Sequence, residues 1–186
     1  MTIEEIVENL RDPSGRISPK QLDEERMDCS GIYAIFVKEP TTLPKPFRSE
    51  LGKRNHQFLY IGKTSETLKE RLVRKDLRHK GSSSFFRSLG AILGYQPPDG
   101  SLIGKKNQNN YKFSRKDTED ITNWINKNVM VKWIEMPGND AKEKEPKVIE
   151  SIQPLLNIKN NPAVLEELRS VRTKCLEIAR PHEGGR

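Results

Sequence analysis

The sequence predicts an α+β protein, a small three-stranded sheet flanked by helices, with helical additions at both ends. Three observations carry this expectation. GIYAIFV (31–37), HQFLYIGK (56–63) and VMVKWIEM (129–136) are short stretches rich in β-branched and aromatic residues, the usual composition of strands. Between and after them, apolar residues recur at helical spacing. The 186 residues suffice for one domain with its own core.

Residues 1–30 read as two short helices split by Asp12-Pro13-Ser14-Gly15, with Ser18 as N-cap and Pro19 at the first helical position of the second. GIYAIFV follows as a buried strand. EPTTLPKPF carries three prolines between Pro40 and Pro46, which predicts neither helix nor central strand. After the second strand comes TLKERLVRKDLRHK. With Leu68 at zero on an α-helical wheel, Arg71, Arg74, Lys75 and Arg78 fall between roughly 240° and 340°, away from Leu72, Val73 and Leu77. One cationic edge suits a phosphate backbone, and a solvated helix face gives the same pattern. SSSFFRSLGAILG places Phe85, Phe86, Leu89, Ile92 and Leu93 within roughly 120°, which is core packing rather than base stacking. From Tyr95 to Lys116 the chain turns polar. Pro97-Pro98, Gly100 and Gly104 predict a loop or hairpin, with Lys105, Lys106 and Asn107 to Asn110 near its tip and Lys112 beyond. Lysines there suit phosphates and amides suit base edges; a polar surface loop fits equally. Ile121 to Lys127 reads as helix, and Val164 to Ala179 as a last one.

Charge is segregated. The chain is +7 overall, yet Lys45 to Lys116 holds 17 Lys and Arg against 5 Asp and Glu, so the remainder is −5. A polyanionic partner gives a reason for such asymmetry, because neutralised phosphates release counterions. No apolar run approaches the roughly 20 residues that cross a bilayer. The N-terminus, MTIEEIVENL, is acidic and amphipathic, unlike a secretory signal, which points to a cytoplasmic protein. Cys29 and Cys175 have no metal-ligand spacing and read as reduced thiols.

One carboxylate is out of place. In DAKEKEPKVIESIQPLLN, with Glu145 at zero, Val148, Ile149, Ile152 and Leu156 project at roughly 300°, 40°, 340° and 20°. Glu145 thus sits on the apolar stripe, while Glu143 and Glu150 point to solvent. An inward carboxylate requires a cation, a hydrogen-bond partner or a raised pKa. Three readings stand: a buried ion pair with Arg71 or Lys63, a metal-binding or catalytic role, and a helix started or kinked by Pro146 that turns Glu145 to its edge.

Together these residues resemble the GIY-YIG endonuclease family. Gly31-Ile32-Tyr33 and Tyr60-Ile61-Gly62 stand as the naming motifs, Lys63 and Arg71 follow, and Glu145 precedes Pro154 and Asn157 at the family's interval. The likeness runs from about Gly31 to Asn157. It implies a three-stranded antiparallel sheet flanked by helices, and hydrolysis of DNA phosphodiesters with one divalent metal ion, Mg²⁺ or Mn²⁺. Carried over by position, Glu145 would bind the metal, and Tyr33 or Tyr60 would handle or orient the attacking water. Arg71 would stabilise charge on the phosphate, Lys63 would position Tyr33 or the nucleophile, and Asn157 would hold backbone or water. An ordinary phenol with pKa near 10 is a poor base at pH 7, so Lys63 and Arg71 would have to lower it, or the tyrosine orients water instead. Arg74, Lys75, Arg78, Lys105, Lys106 and Lys112 would grip the DNA. His79, two turns beyond Arg71, reads either as an accessory base or phosphate contact or as a half-buried histidine.

The expected layout is an N-terminal helical extension at 1–30, the nuclease-like domain at 31–158 with insertions near 38–55 and 95–116, and a C-terminal helix and tail at 159–186. Three departures from the family stand out: the long Tyr33–Tyr60 gap, one extra residue between Tyr60 and Arg71, and Pro146. Specificity, for a branched or a particular duplex site, would come from the insert, the terminal helices or homodimerisation. Two rival readings remain, a nucleic-acid-binding module that kept the fold and lost catalysis, and a basic surface for an acidic protein.

Overall fold

The computed structural model describes residues 1–180, so the end of the 159–186 tail lies outside the described residues. The three expected strands form one antiparallel sheet. β1 (Gly31–Val37) lies between β2 (Phe58–Thr64) and β3 (Val129–Glu135). All seven residues of β1 are buried, because helices cover both faces. Alternation along the strand sends Ile32, Ala34 and Phe36 to one face, where they pack under α1 (Ile3–Arg11) and α5 (Gly138–Ile152). Tyr33, Ile35 and Val37 go to the other, under α3 (Ser84–Ile92), α4 (Arg115–Asn128) and a helix over Lys69–Leu77. Opposite Ile35 and Phe36 the register of β2 shifts by one residue, so neighbouring Leu59 and Tyr60 both join this second core.

Four expectations change. The second N-terminal helix is only two 3₁₀ turns, Pro19–Gln21 and Glu24–Arg26, and Ser18 makes no side-chain cap. The Pro-rich segment does become helical: α2 (Lys45–Arg54) starts after Pro44 and tolerates Pro46 in its first turn, where no backbone N–H is required. Phe47 and Leu51 then face the core. The stretch Lys69–Leu77 is a π-helix, more widely wound than the α-helix assumed for its charge pattern. Finally α5 runs unbroken through Pro146 to Ile152 and stops at Gln153 in the left-handed region, so Leu156 is not on its stripe.

The polar segment 95–116 contains turns and no strand, with Gly100 and Gly104 at φ +59° and +72°. It docks on α6 (Glu166–Ala179), where the Gly100 and Leu102 amides donate to the carbonyls of Ile178 (2.9 Å) and Ala179 (2.7 Å). Both cysteines are free thiols. Among the described residues no helix is long and apolar enough to cross a membrane.

β2 and β3 are edge strands, and both edges are covered. The amides of Leu155 and Leu156 donate to the carbonyls of Phe58 (3.1 Å) and Leu59 (2.8 Å). Next to them the Asn157 side chain accepts from the Ile61 amide and donates to the Ile61 carbonyl, both at 2.8 Å. On β3, Val131 exchanges two 2.9 Å backbone bonds with Ile17. Asn157 is 5% exposed, so removing its amide strands a buried donor and a buried acceptor. Asn157→Ala is expected to lower the unfolding free energy by about 2–4 kcal/mol in urea denaturation. A loss below about 1 kcal/mol would show that water replaces the side chain there.

Candidate active site

The site grows from the crossing of β1 and β2. Tyr33 pairs with Gly62, and its ring lies directly over that glycine: a Cβ on Gly62 would come 2.3 Å from the Tyr33 hydroxyl. Only glycine admits the ring. The hydroxyl then reaches Asp76, to which it donates a hydrogen bond. Asp76 is fully buried and also accepts from Arg71 Nη1 at 2.9 Å and from the Ser83 hydroxyl at 2.7 Å. Arg71 and Asp76 stand five residues apart. On an α-helix that spacing turns them about 140° away from each other. The i→i+5 winding of the π-helix brings them onto one side.

Asp76 is a site residue that the motif reading missed. A signal for it exists: on the wheel used above it falls at roughly 80°, between Leu72 and Val73, as misplaced among apolar residues as Glu145 is.

Tyr60 stands two residues before Gly62 on the same face, 7% exposed, with its ring 5.6 Å from that of Phe85. Its hydroxyl makes no hydrogen bond to a described residue. Burial raises both phenols well above their ordinary pKa, the Asp76 carboxylate adds to this, and Arg71 opposes it without prevailing. The expectation that neighbouring cations lower a tyrosine is therefore reversed, and both are neutral phenols at pH 7. Burial works against the charged form of Arg71, yet the Asp76 carboxylate in contact with it holds its guanidinium firmly protonated. Nη1 serves Asp76 and the Ser82 carbonyl (3.4 Å), while Nε and Nη2 make no bond to a described residue.

Lys63 pairs with Ile32, so it lies on the face opposite Tyr33 and does not hold that tyrosine. This is the face covered by α5, where Glu145 sits half-buried. Glu145 has no ion pair within 4.0 Å among the described residues, so the buried-pair reading with Arg71 or Lys63 does not describe it. Burial raises its carboxyl pKa, and Lys63, Arg71 and Lys159 pull against that from a distance. The Glu145 charge in turn adds to the rise at Tyr60. The carboxylate therefore lies within electrostatic reach of groups from both faces.

No cluster of three or more His, Cys, Asp or Glu among the described residues could cage a metal. A magnesium-type ion needs less: one or two carboxylates, with waters and substrate phosphate completing its shell. Glu145, half-buried and unpaired, fits that requirement.

The remaining candidates divide. Arg74 and Lys75 pair with Glu70 at 3.3 and 3.7 Å, and Arg78 with Glu24 at 3.9 Å, so the expected cationic edge is largely matched by acids. Lys105, Lys106 and Lys112 line an open cavity of about 380 Å³ with Asn107 and Asn110. A larger cavity of about 650 Å³, near Arg11, Arg16 and Arg54, lies at the Phe58 end of β2, away from Gly62. His79 is 6% exposed and stacks on Phe86 with centroids 4.3 Å apart. Neither ring nitrogen has a hydrogen-bond partner among the described residues, and the ring packs in the core.

A family model, that of the GIY-YIG catalytic domain, matches residues 31–174. Neither the curated proteins nor the solved structures provide a match.

Asp76→Ala would leave Arg71 without its carboxylate and two hydroxyls without an acceptor, and is expected to cost about 3–5 kcal/mol in urea denaturation. Burial lowers the His79 pKa from 6.5 to about 4. Between those values the unfolded chain takes up a proton that the folded one refuses, so stability falls as pH drops from about 6.5 to about 4. The contribution reaches on the order of 3 kcal/mol. Denaturation of unaltered protein and His79→Leu across that range should show a flatter profile for the variant.

Proposed function

Because the chain belongs to the GIY-YIG catalytic-domain family, we propose that it is a divalent-metal-dependent endonuclease that hydrolyses DNA phosphodiester bonds. The observation that carries this reading is Glu145, a half-buried carboxylate with no ion-pair partner, set in the field of Lys63 and Arg71 and felt by Tyr60.

In the proposed reaction, water adds to phosphorus as the ester P–O bond breaks, losing a proton to solvent while the leaving oxygen takes one up from solvent. Glu145 would hold the ion, Mg²⁺ or Mn²⁺, which would supply positive charge to the phosphate and the leaving oxygen. Arg71 is already fixed through Nη1, so Nε and Nη2 are free to bind the phosphate oxygens as charge accumulates on them. Tyr60, a neutral phenol with an unengaged hydroxyl, orients the attacking water by hydrogen bonding. Tyr33 is committed to Asp76 and acts as a positioning residue for Arg71. Lys63, across the sheet, keeps Glu145 ionised against its burial. Asn157 holds the backbone between Tyr60 and Gly62. The lysines at 105, 106 and 112 contact DNA phosphates.

Supercoiled plasmid incubated with Mg²⁺ or Mn²⁺ tests the assignment. Glu145→Ala is expected to cut at least 100-fold more slowly than the unaltered chain, in line with losses of about 10²–10³ for single charge-stabilising groups. Equal cutting by the two proteins would remove Glu145 from the mechanism. Salt-sensitive binding with no cutting by either would leave a nucleic-acid-binding module.

A further inference from the structure

Next to Arg71, joined to it through Ser82, lies a concentration of positive charge that the proposed reaction leaves unused. α3 begins at Ser83, whose hydroxyl accepts from the Phe86 amide at 2.9 Å and also bonds Asp76. One turn into that helix, Arg87 is only 8% exposed. Its Nη1 donates to the Ser82 hydroxyl at 3.3 Å and to the Asn110 side-chain oxygen. From α6, the half-buried Arg172 donates through Nη1 to the Ser84 carbonyl at 3.2 Å and the Ser88 hydroxyl at 3.4 Å. The two guanidinium carbons lie 5.9 and 5.5 Å from the centre of the same ring, Tyr111.

Every partner of these arginines is neutral, and neither has a carboxylate within 4.0 Å among the described residues. Burial, and then the charge of Arg172, push Arg87 down to a pKa of about 10. Burial lowers Arg172 as well. A buried and a half-buried cation sharing one aromatic ring, with no carboxylate in contact with either among the described residues, are disfavoured by burial. The positive end of the nine-residue helix α3 adds to the same potential. Pinning the 110–113 segment and α6 to α3 needs only neutral donors, so holding the fold together does not explain two charges. A bound anion does. Arg87 Nη2 makes no bond to a described residue, and the flanking Ser82 and Lys112 are exposed. Arg87 bonds the Ser82 hydroxyl and Arg71 the Ser82 carbonyl, so the anion would sit beside the cleavage site.

We infer that Arg87 and Arg172 form a receptor for a second backbone phosphate of the substrate strand, next to the phosphate bound by Arg71. This rests on the nuclease reading for the identity of the strand. A second fixed phosphate sets the register of the strand, so that one bond, and not its neighbour, faces Tyr60. The pair is thus a positioning device at the border of the 380 Å³ cavity, which shares Asn110 and Lys112 with it.

Duplex binding in metal-free buffer, measured by fluorescence anisotropy over a series of KCl concentrations, tests the site. The plot of log K against log salt is expected to lose about 0.9 of its slope in Arg87→Gln/Arg172→Gln, one phosphate contact fewer. A merely structural pair would leave the slope of a folded variant unchanged, and that result overturns the site. Should the double variant fail to fold, the unaltered protein carries the test. The Nε–H resonances of Arg87 and Arg172 shift when inorganic phosphate replaces chloride at constant ionic strength, and unmoved resonances reject the site. Plasmid cutting is scored separately. A changed slope without cutting keeps the phosphate receptor and removes the nuclease reading; cutting with an unchanged slope does the reverse.

Discussion

The buried carboxylate of Asp76 is the constraint on which this arrangement depends. A carboxylate sealed from water must be met by donors, and its three come from three different elements: Tyr33 of β1, Arg71 of the π-helix and Ser83 at the start of α3. One group thereby fixes how the sheet, the wide helix and the next helix stand relative to each other. Gly62 belongs to the same constraint, since the Tyr33 ring reaches Asp76 only by crossing it. The GIY and YIG motifs are therefore mechanically linked, the tyrosine of one lying on the glycine of the other.

Glu145 illustrates the opposite treatment of a carboxylate. Asp76 is occupied by contacts, whereas Glu145 is surrounded by cations that stop short of touching it. A field of that kind favours the ionised form while leaving the oxygen lone pairs open to an incoming ligand. The placement of Lys63 on the far side of the sheet from Tyr33 makes sense in these terms: its influence is exerted on the α5 face, where the open carboxylate lies.

Much of the frame was legible in the sequence. β1 reads as a strand because it is a continuous apolar run and β3 because its residues alternate, and Glu145 was found because one charge interrupts an apolar stripe. The Arg71–Asp76 contact was hidden for a specific reason: an α-helical wheel separates the two side chains, and only the π winding joins them. α2 was hidden because proline was weighed by number rather than by position, and its first turn accepts what its interior would not. The pairings of Arg74, Lys75 and Arg78 with Glu70 and Glu24 depend on geometry that charge counting ignores. Likewise, Arg87 and Arg172 are 85 positions apart in the chain, and only the packing of α6 on α3 brings them to one ring.

The covering of the outer strands has a consequence for how this molecule meets others. An exposed strand edge is a template on which a second chain can extend the sheet, whether in an ordered dimer or in an aggregate. Here the segment Leu155 to Asn157 occupies the β2 edge and Ile17 occupies β3 at Val131, so strand addition at those positions would first require local peeling of the protein's own chain. Extension of the sheet by a neighbouring copy is thereby disfavoured at the covered positions.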